Sequence, residues 1–289
     1  MKAQGFKMAL KFNTPEAKQQ RLKILIYGEA GSGKSTFCCM FPNVAYFDAE
    51  DTTSKKSYAE AIRDGGGGVI HTGDIDEVTS QVKELMSVKH EFKTVVIDSL
   101  TVIYENLLLE TEKQVGSNYG RHKAAADKKM KQLINLLLRL DMNCIITCQA
   151  RKEYSSNSME VIGKTFAGYE RLGYMVDLML ETSVLGHNFD ARVRKSRLNA
   201  FVTGDSVKFN YEEIMKRCGE IIEKPVKIEK LATPEQVTEL KRLIAMLKVP
   251  EATTDKWLSK SNSSNFGDMS SDVIGKCIDN LNKQINGSE

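Results

Sequence analysis

Gly28-Glu29-Ala30-Gly31-Ser32-Gly33-Lys34-Ser35 stands directly after an apolar run, Leu22–Tyr27 (LKILIY), and directly before the start of a short helix at Lys34 that must end before Pro42. Glycines at this spacing let a backbone wrap phosphates and aim several N–H groups at them. Lys34 is placed to reach the β and γ phosphates, and Ser35 to ligate Mg²⁺. The expected ligands are therefore ATP and Mg²⁺. The expected nucleotide-binding set is Gly28, Glu29, Ala30, Gly31, Ser32, Gly33, Lys34, Ser35 and Thr36.

Working outward, further apolar runs end on polar residues. Val44 to Phe47 closes on Asp48-Ala49-Glu50, Thr94 to Ile97 closes on Asp98-Ser99, and Cys144 to Cys148 closes on Gln149. Between them lie helical stretches at 58–63, from a cap at Asp74 (with Glu77 as its reciprocal partner) to about Val88, and at 122–140. A short strand is expected at 69–71 and others at 176–181 and 191–202, while 151–168 reads as a polar surface loop. Strands alternating with helices predict a mostly parallel sheet covered on both faces, an α/β fold with its ligands at the carboxyl ends of the strands. Asp98 is then the acid of the Mg²⁺ sphere, shared with Ser35. Glu50 is the carboxylate that orients the attacking water, with Asp48 and Asp51 close by as rival acids. Gln149 is the amide that senses the γ-phosphate.

Bulk composition excludes several classes. Hydrophobic residues make up 41% and charged residues 27% of the 289 residues, the balance of a globular chain with a sizeable core. No run approaches the ~18 apolar residues of a membrane span, and the first residues carry no secretory apolar core, so a cytoplasmic protein without a membrane partner is expected. A net charge of +3 makes any basic footprint local. Cys38, Cys39, Cys144, Cys148, Cys218 and Cys277 form no metal-binding spacing and read as buried, reduced thiols.

The order GEAGSGKS, YFDAE, VVIDS, IITCQ resembles the RecA-type recombinase core over roughly residues 20–210. It is most similar to a compact, phage-encoded subgroup linked to recombination and single-strand annealing. That resemblance implies a RecA-like P-loop core, DNA-stimulated ATP hydrolysis and a host-cytoplasmic location. It also implies self-assembly as a ring or filament, single-stranded DNA as a partner, and a single-strand-binding protein as a further one. Two DNA-contacting loops would fall at about 112–122 and 151–168. The strand ARVRKSRLNAF (191–201) would bring Lys195 and Arg197 to the γ-phosphate held by a neighbouring subunit. Gly5-Phe6-Lys7-Met8-Ala9 resembles the Phe-x-x-Ala hook between such subunits.

The residues themselves offer basic side chains at Arg121, His122, Lys123, Lys128, Lys129, Lys131, Arg151 and Lys152, with Tyr119, Tyr154 and Phe166 as stacking partners. A ring motor or regulatory ATPase of helicase type without annealing activity is the alternative reading, and a small-molecule kinase a third. The expected organisation is an arm over 1–20, a core over 21–228 and a helical module over 229–289. In that module Thr233-Pro234-Glu235-Gln236 opens one helix and Val273, Cys277, Leu281 and Ile285 mark the apolar face of the last.

Overall fold

The structure, a computed structural model, describes residues 21–155, 160–222, 226 and 228–286; the Phe-x-x-Ala segment lies outside them. In chain order the first elements are β1 (Lys23–Gly28), α1 (Lys34–Cys39), β2 (Val44–Asp48), α2 (Lys56–Asp64), β3 (Gly68–His71), α3 (Ile75–Ser87) and β4 (Thr94–Asp98). Next come α4 (Leu100–Val115), α5 (Arg121–Arg139), β5 (Asn143–Tyr154), β6 (Val161–Phe166) and the single turn α6 (Leu172–Met175). The core closes with β7 (Leu178–Leu185), β8 (Asn188–Ser196), β9 (Ser206–Lys208) and α7 (Tyr211–Ile222). Three helices follow, α8 (Pro234–Met246), α9 (Glu251–Lys260) and α10 (Ser271–Asn286).

The strands form one sheet in the order β3-β2-β4-β5-β1-β7-β8-β9, with β6 paired to β5 alone. All pairs from β3 to β7 are parallel, whereas β7–β8, β8–β9 and β5–β6 are antiparallel. This is the RecA-like α/β architecture expected from the motifs. β1 is buried along its whole length because helices cover both faces, which is why it runs apolar from Ile24 to Tyr27 after a buried Lys23. The two-residue period sorts its side chains. Leu25 and Tyr27 join α3, α4 and α5 in one core cluster, and Ile24 and Ile26 join α1 and α7 in the other. Emptying one such site, as Leu25→Ala does, costs about 2–5 kcal/mol. All six cysteines are buried and free.

Several local expectations change. Asp74 caps α3 by accepting from Asp76 and Glu77 N–H groups. Glu77 does not return the bond to Asp74; its carboxylate accepts from Thr72 Oγ1 at 2.5 Å, and Thr72 Oγ1 accepts from Asp74 N at 3.1 Å. The chain after Ser99 is the long helix α4, whose mixed composition hid its period. β5 does not stop at Gln149 but runs on to Tyr154 and pairs with β6, so the stretch read as a surface loop is largely a hairpin. β8 ends at Ser196, short of the expected 202.

The C-terminal helices own a separate apolar cluster around Leu240, Leu243, Met269, Ile274 and Leu281. α8 begins with the full reciprocal cap between Thr233 and Gln236. The helices sit against the last turn of α5. Arg139 donates to Asp268 O at 2.5 Å and Ser263 Oγ at 3.0 Å and pairs with Glu229 at 3.3 Å, and Lys83 on α3 pairs with Asp268 at 2.7 Å.

Candidate nucleotide-binding and catalytic site

The loop between β1 and α1 is shaped by what glycine lacks. A Cβ on Gly28 would lie 2.1 Å from Thr182 Oγ1, and one on Gly33, where φ is +83°, would lie 2.9 Å from the Phe189 ring. Ser32 is buried and shares a hydrogen bond with Thr182 at 2.7 Å, and Thr182 donates to Tyr27 O at 3.2 Å, so the loop is moored to β7. Lys34 turns back onto the loop, donating to Gly28 O at 3.0 Å and Glu29 O at 2.9 Å. Burial lowers its pKa, opposed by the charges of Asp98 and Glu50. A phosphate arriving at the loop offers this ammonium a charged acceptor in place of two neutral carbonyls.

Asp98 ends β4 beside Ser35, as expected for a metal acid. Ser35 Oγ donates to Asp98 Oδ2 at 2.6 Å, Tyr46 OH donates to the same oxygen at 2.5 Å, and Thr147 Oγ1 donates to Oδ1. Burial, followed by nearby thiol and carboxylate charge, drives the Tyr46 phenol well above its ordinary pKa, so it stays a donor. The all-oxygen pair of Ser35 and Asp98 fits a hard cation such as Mg²⁺. Tyr46 and Thr147 went unnoticed in the sequence. The available signal was a tyrosine and a threonine inside otherwise apolar strands, where a buried hydroxyl needs a partner.

Glu50 lies just past β2. Its Oε1 accepts from Ser99 Oγ at 2.5 Å and from Gln149 Nε2 at 3.0 Å. The Asp98–Ser99 peptide is cis. Gln149 is itself tied down, its N–H bonding Thr101 Oγ1 at 3.0 Å while Thr101 donates to Ala167 O at 2.8 Å. The rival acids separate clearly. Asp48 is buried and saturated by Glu50 N, Thr53 N and Thr53 Oγ1, a brace for the turn that carries Glu50. Asp51 is exposed and accepts from Ser54.

The glycine loop, Ser35 with Asp98, and Glu50 with Gln149 therefore converge at the carboxyl ends of β1, β2, β4 and β5. The AAA domain family matches residues 20–209. The chain belongs to that family. It is a P-loop ATPase, and the matched span contains every element just described. No curated protein matches it. Among solved structures, the RadB recombinase is similar with a TM-score of 0.42 and 19% identity, over 64% of this chain and 84% of that one. The assembled ATPase EscN from the enteropathogenic E. coli type III secretion system is similar with a TM-score of 0.42 and 14% identity, over 91% of this chain and 66% of that one.

Within the AAA domain the basic candidates divide. Lys195 and Arg197 lie near the amino end of β7, far from their own loop. Arg197 N bonds Asp177 O and Asp177 N bonds Lys23 O, which puts Arg197 level with the start of β1. That is roughly 16 Å below Gly28 at about 3.3 Å per residue. Lys195 donates to the carbonyls of Gly173, Tyr174 and Val176, and Arg197 to that of Tyr174. Arg197 also pairs with Asp177 at 3.5 Å.

Lys129 faces α3 and pairs with Asp76 at 2.8 Å, and Lys123 pairs with Glu170 at 3.4 Å. Phe166 is not an open stacking surface: it is buried and packs against Tyr27 with ring centroids 6.1 Å apart. Tyr119 is 98% exposed, and Tyr154 is also exposed. A groove of about 920 Å³ between the β5–β6 hairpin and α6 is lined by three cations, Arg151, Lys152 and Arg171, two carboxylates, Glu153 and Glu170, and the rings of Tyr154 and Tyr174. No helix among the described residues is long and apolar enough to cross a membrane.

Proposed function

We propose that this P-loop ATPase hydrolyses ATP with Mg²⁺, binds single-stranded DNA and acts in recombination or strand annealing of the phage type. One observation carries the reading. A single strand, β5, holds Gln149 on Glu50 and continues directly into Arg151, Lys152 and Tyr154 of the exposed hairpin. A change at the γ-phosphate is thus transmitted to a cationic, aromatic surface along one piece of backbone.

The chemistry follows from the side chains. Lys34 and the loop N–H groups hold the phosphates, and Ser35 with Asp98 would hold Mg²⁺, which neutralises phosphate charge. Glu50, with Oε1 occupied by Ser99 and Gln149, presents its other oxygen to take a proton from the attacking water. Cationic grooves with open aromatic rings suit single strands, whose phosphates and base faces are both available. Lys195 and Arg197 lie too far from their own loop to meet its phosphates, so on this reading they would act on a nucleotide held by a second copy of the chain.

The test is ATP hydrolysis with and without single-stranded DNA at low and high salt. Stimulation that fades as salt rises is expected, since phosphate contacts release counterions. Hydrolysis indifferent to DNA at every salt concentration would remove the DNA-binding part of the reading and leave the ATPase.

A further inference from the structure

Phe189 is an exposed aromatic ring with no place in the interior. It belongs to neither core cluster of the AAA domain and is 43% exposed, yet its ring lies against Gly33, the residue before Lys34. Its cross-strand partner Val184 and the adjoining Leu185 are exposed as well. An apolar rim beside a phosphate-binding loop carries a hydration cost unless a ligand covers it.

The strand order says which part of a nucleotide would reach it. Asp98 on β4, Glu50 after β2 and Gln149 on β5 all lie to one side of β1, while β7 and β8 lie to the other. A triphosphate whose γ-phosphate faces Glu50 extends its nucleoside the opposite way, over the β7–β8 hairpin. We propose that Phe189 is the platform on which the nucleotide base stacks, flanked by Val184 and Leu185. The inference rests on reading residues 28–36 as the nucleotide loop and adds the subsite for the base.

Binding of ATP and of inorganic tripolyphosphate, which has no base, tests it by titration calorimetry in the presence of Mg²⁺. Phe189→Ala is expected to weaken ATP binding about tenfold, the scale of one aromatic stacking contact. It should leave tripolyphosphate binding unchanged, and Phe189→Tyr should keep wild-type affinity for both. Unaltered ATP affinity in Phe189→Ala would overturn the proposal. So would an equal loss for both ligands, because the ring would then only prop Gly33. If the wild-type chain bound neither ligand, the reading of the loop itself would fall and take this one with it.

Discussion

Ser99 donates its hydroxyl to Glu50 Oε1 at 2.5 Å, joining the end of β4 to the turn beyond β2. The bond fixes one carboxylate oxygen, and on the proposed mechanism proton transfer falls to the other. Glu50→Gln keeps the size and loses the base. Nucleotide binding should persist while phosphate release falls about 10²–10⁴-fold, the usual worth of a positioned general base. Wild-type turnover in that variant would take Glu50 out of the chemistry.

Lys34→Ala removes the ammonium now resting on Gly28 O and Glu29 O. Binding of a fluorescent ATP analogue should be lost or severely weakened, with the thermal unfolding profile little changed. Unaltered affinity and turnover would contradict the role of the loop.

Asp98 is held by three hydroxyls, from Ser35, Tyr46 and Thr147. Tyr46→Phe and Thr147→Val each delete one without changing volume much. Partners of this kind are typically worth 10–100-fold in metal affinity. The Mg²⁺ concentration that half-saturates nucleotide binding should rise about tenfold in the double variant. An unmoved midpoint would mean that the two hydroxyls only satisfy the buried Asp98 carboxylate and do not tune a metal there.

Arg197 sits at the far end of the sheet from its own loop, so an Arg197→Ala subunit retains an intact nucleotide site. Mixing Arg197→Ala with Lys34→Ala protein should restore hydrolysis that neither shows alone, as each supplies what the other lacks at a shared boundary. Mixtures that stay inactive across all ratios would argue that Arg197 serves only its own subunit.

Lys23 is buried with its ammonium on the carbonyls of Leu137, Leu140 and Met142, each at 2.9 Å. Burial lowers its pKa to about 8 from an ordinary 10.5. Between those values the unfolded chain binds a proton that the folded chain does not, so stability from this site rises with pH through that window. Below pH 8 both states are charged and the site contributes no slope. Relative to Lys23→Met, the unfolding free energy of wild type should rise by roughly 3 kcal/mol from pH 8 to 10.5. A constant gap would show that Lys23 titrates alike in both states.

The parts of the fold legible in the sequence were those governed by local chemistry. The strands of the parallel sheet announced themselves as apolar runs because both faces are buried, and the polar residue ending each run marked the site edge. The hairpin after Gln149 was not legible, since exposed on both faces it carries polar side chains without a two-residue period. α4 was missed because its buried face includes Thr101 and Thr111 among leucines and its outer face exposes Leu109. Within the candidate site, Glu50, Asp98 and Gln149 could be singled out because each follows or ends an apolar run, and the structure places them close together. Ser99, Tyr46 and Thr147 were not, because a hydroxyl declares its partner only once strands far apart in sequence are placed side by side.

Arg139 reaches from the last turn of α5 to the connection between α9 and α10, while Lys83 on α3 holds Asp268 from a second direction. The expected start of the helical module at residue 229 marks an obvious place to truncate the chain. A truncation there would strip two cations of their partners and uncover the flank of the helix whose other end starts at Arg121, beside Tyr119. Loss of DNA response in such a fragment would therefore report a slackened strut as readily as a missing recognition surface, and the informative variant is Arg139→Gln in the full-length chain.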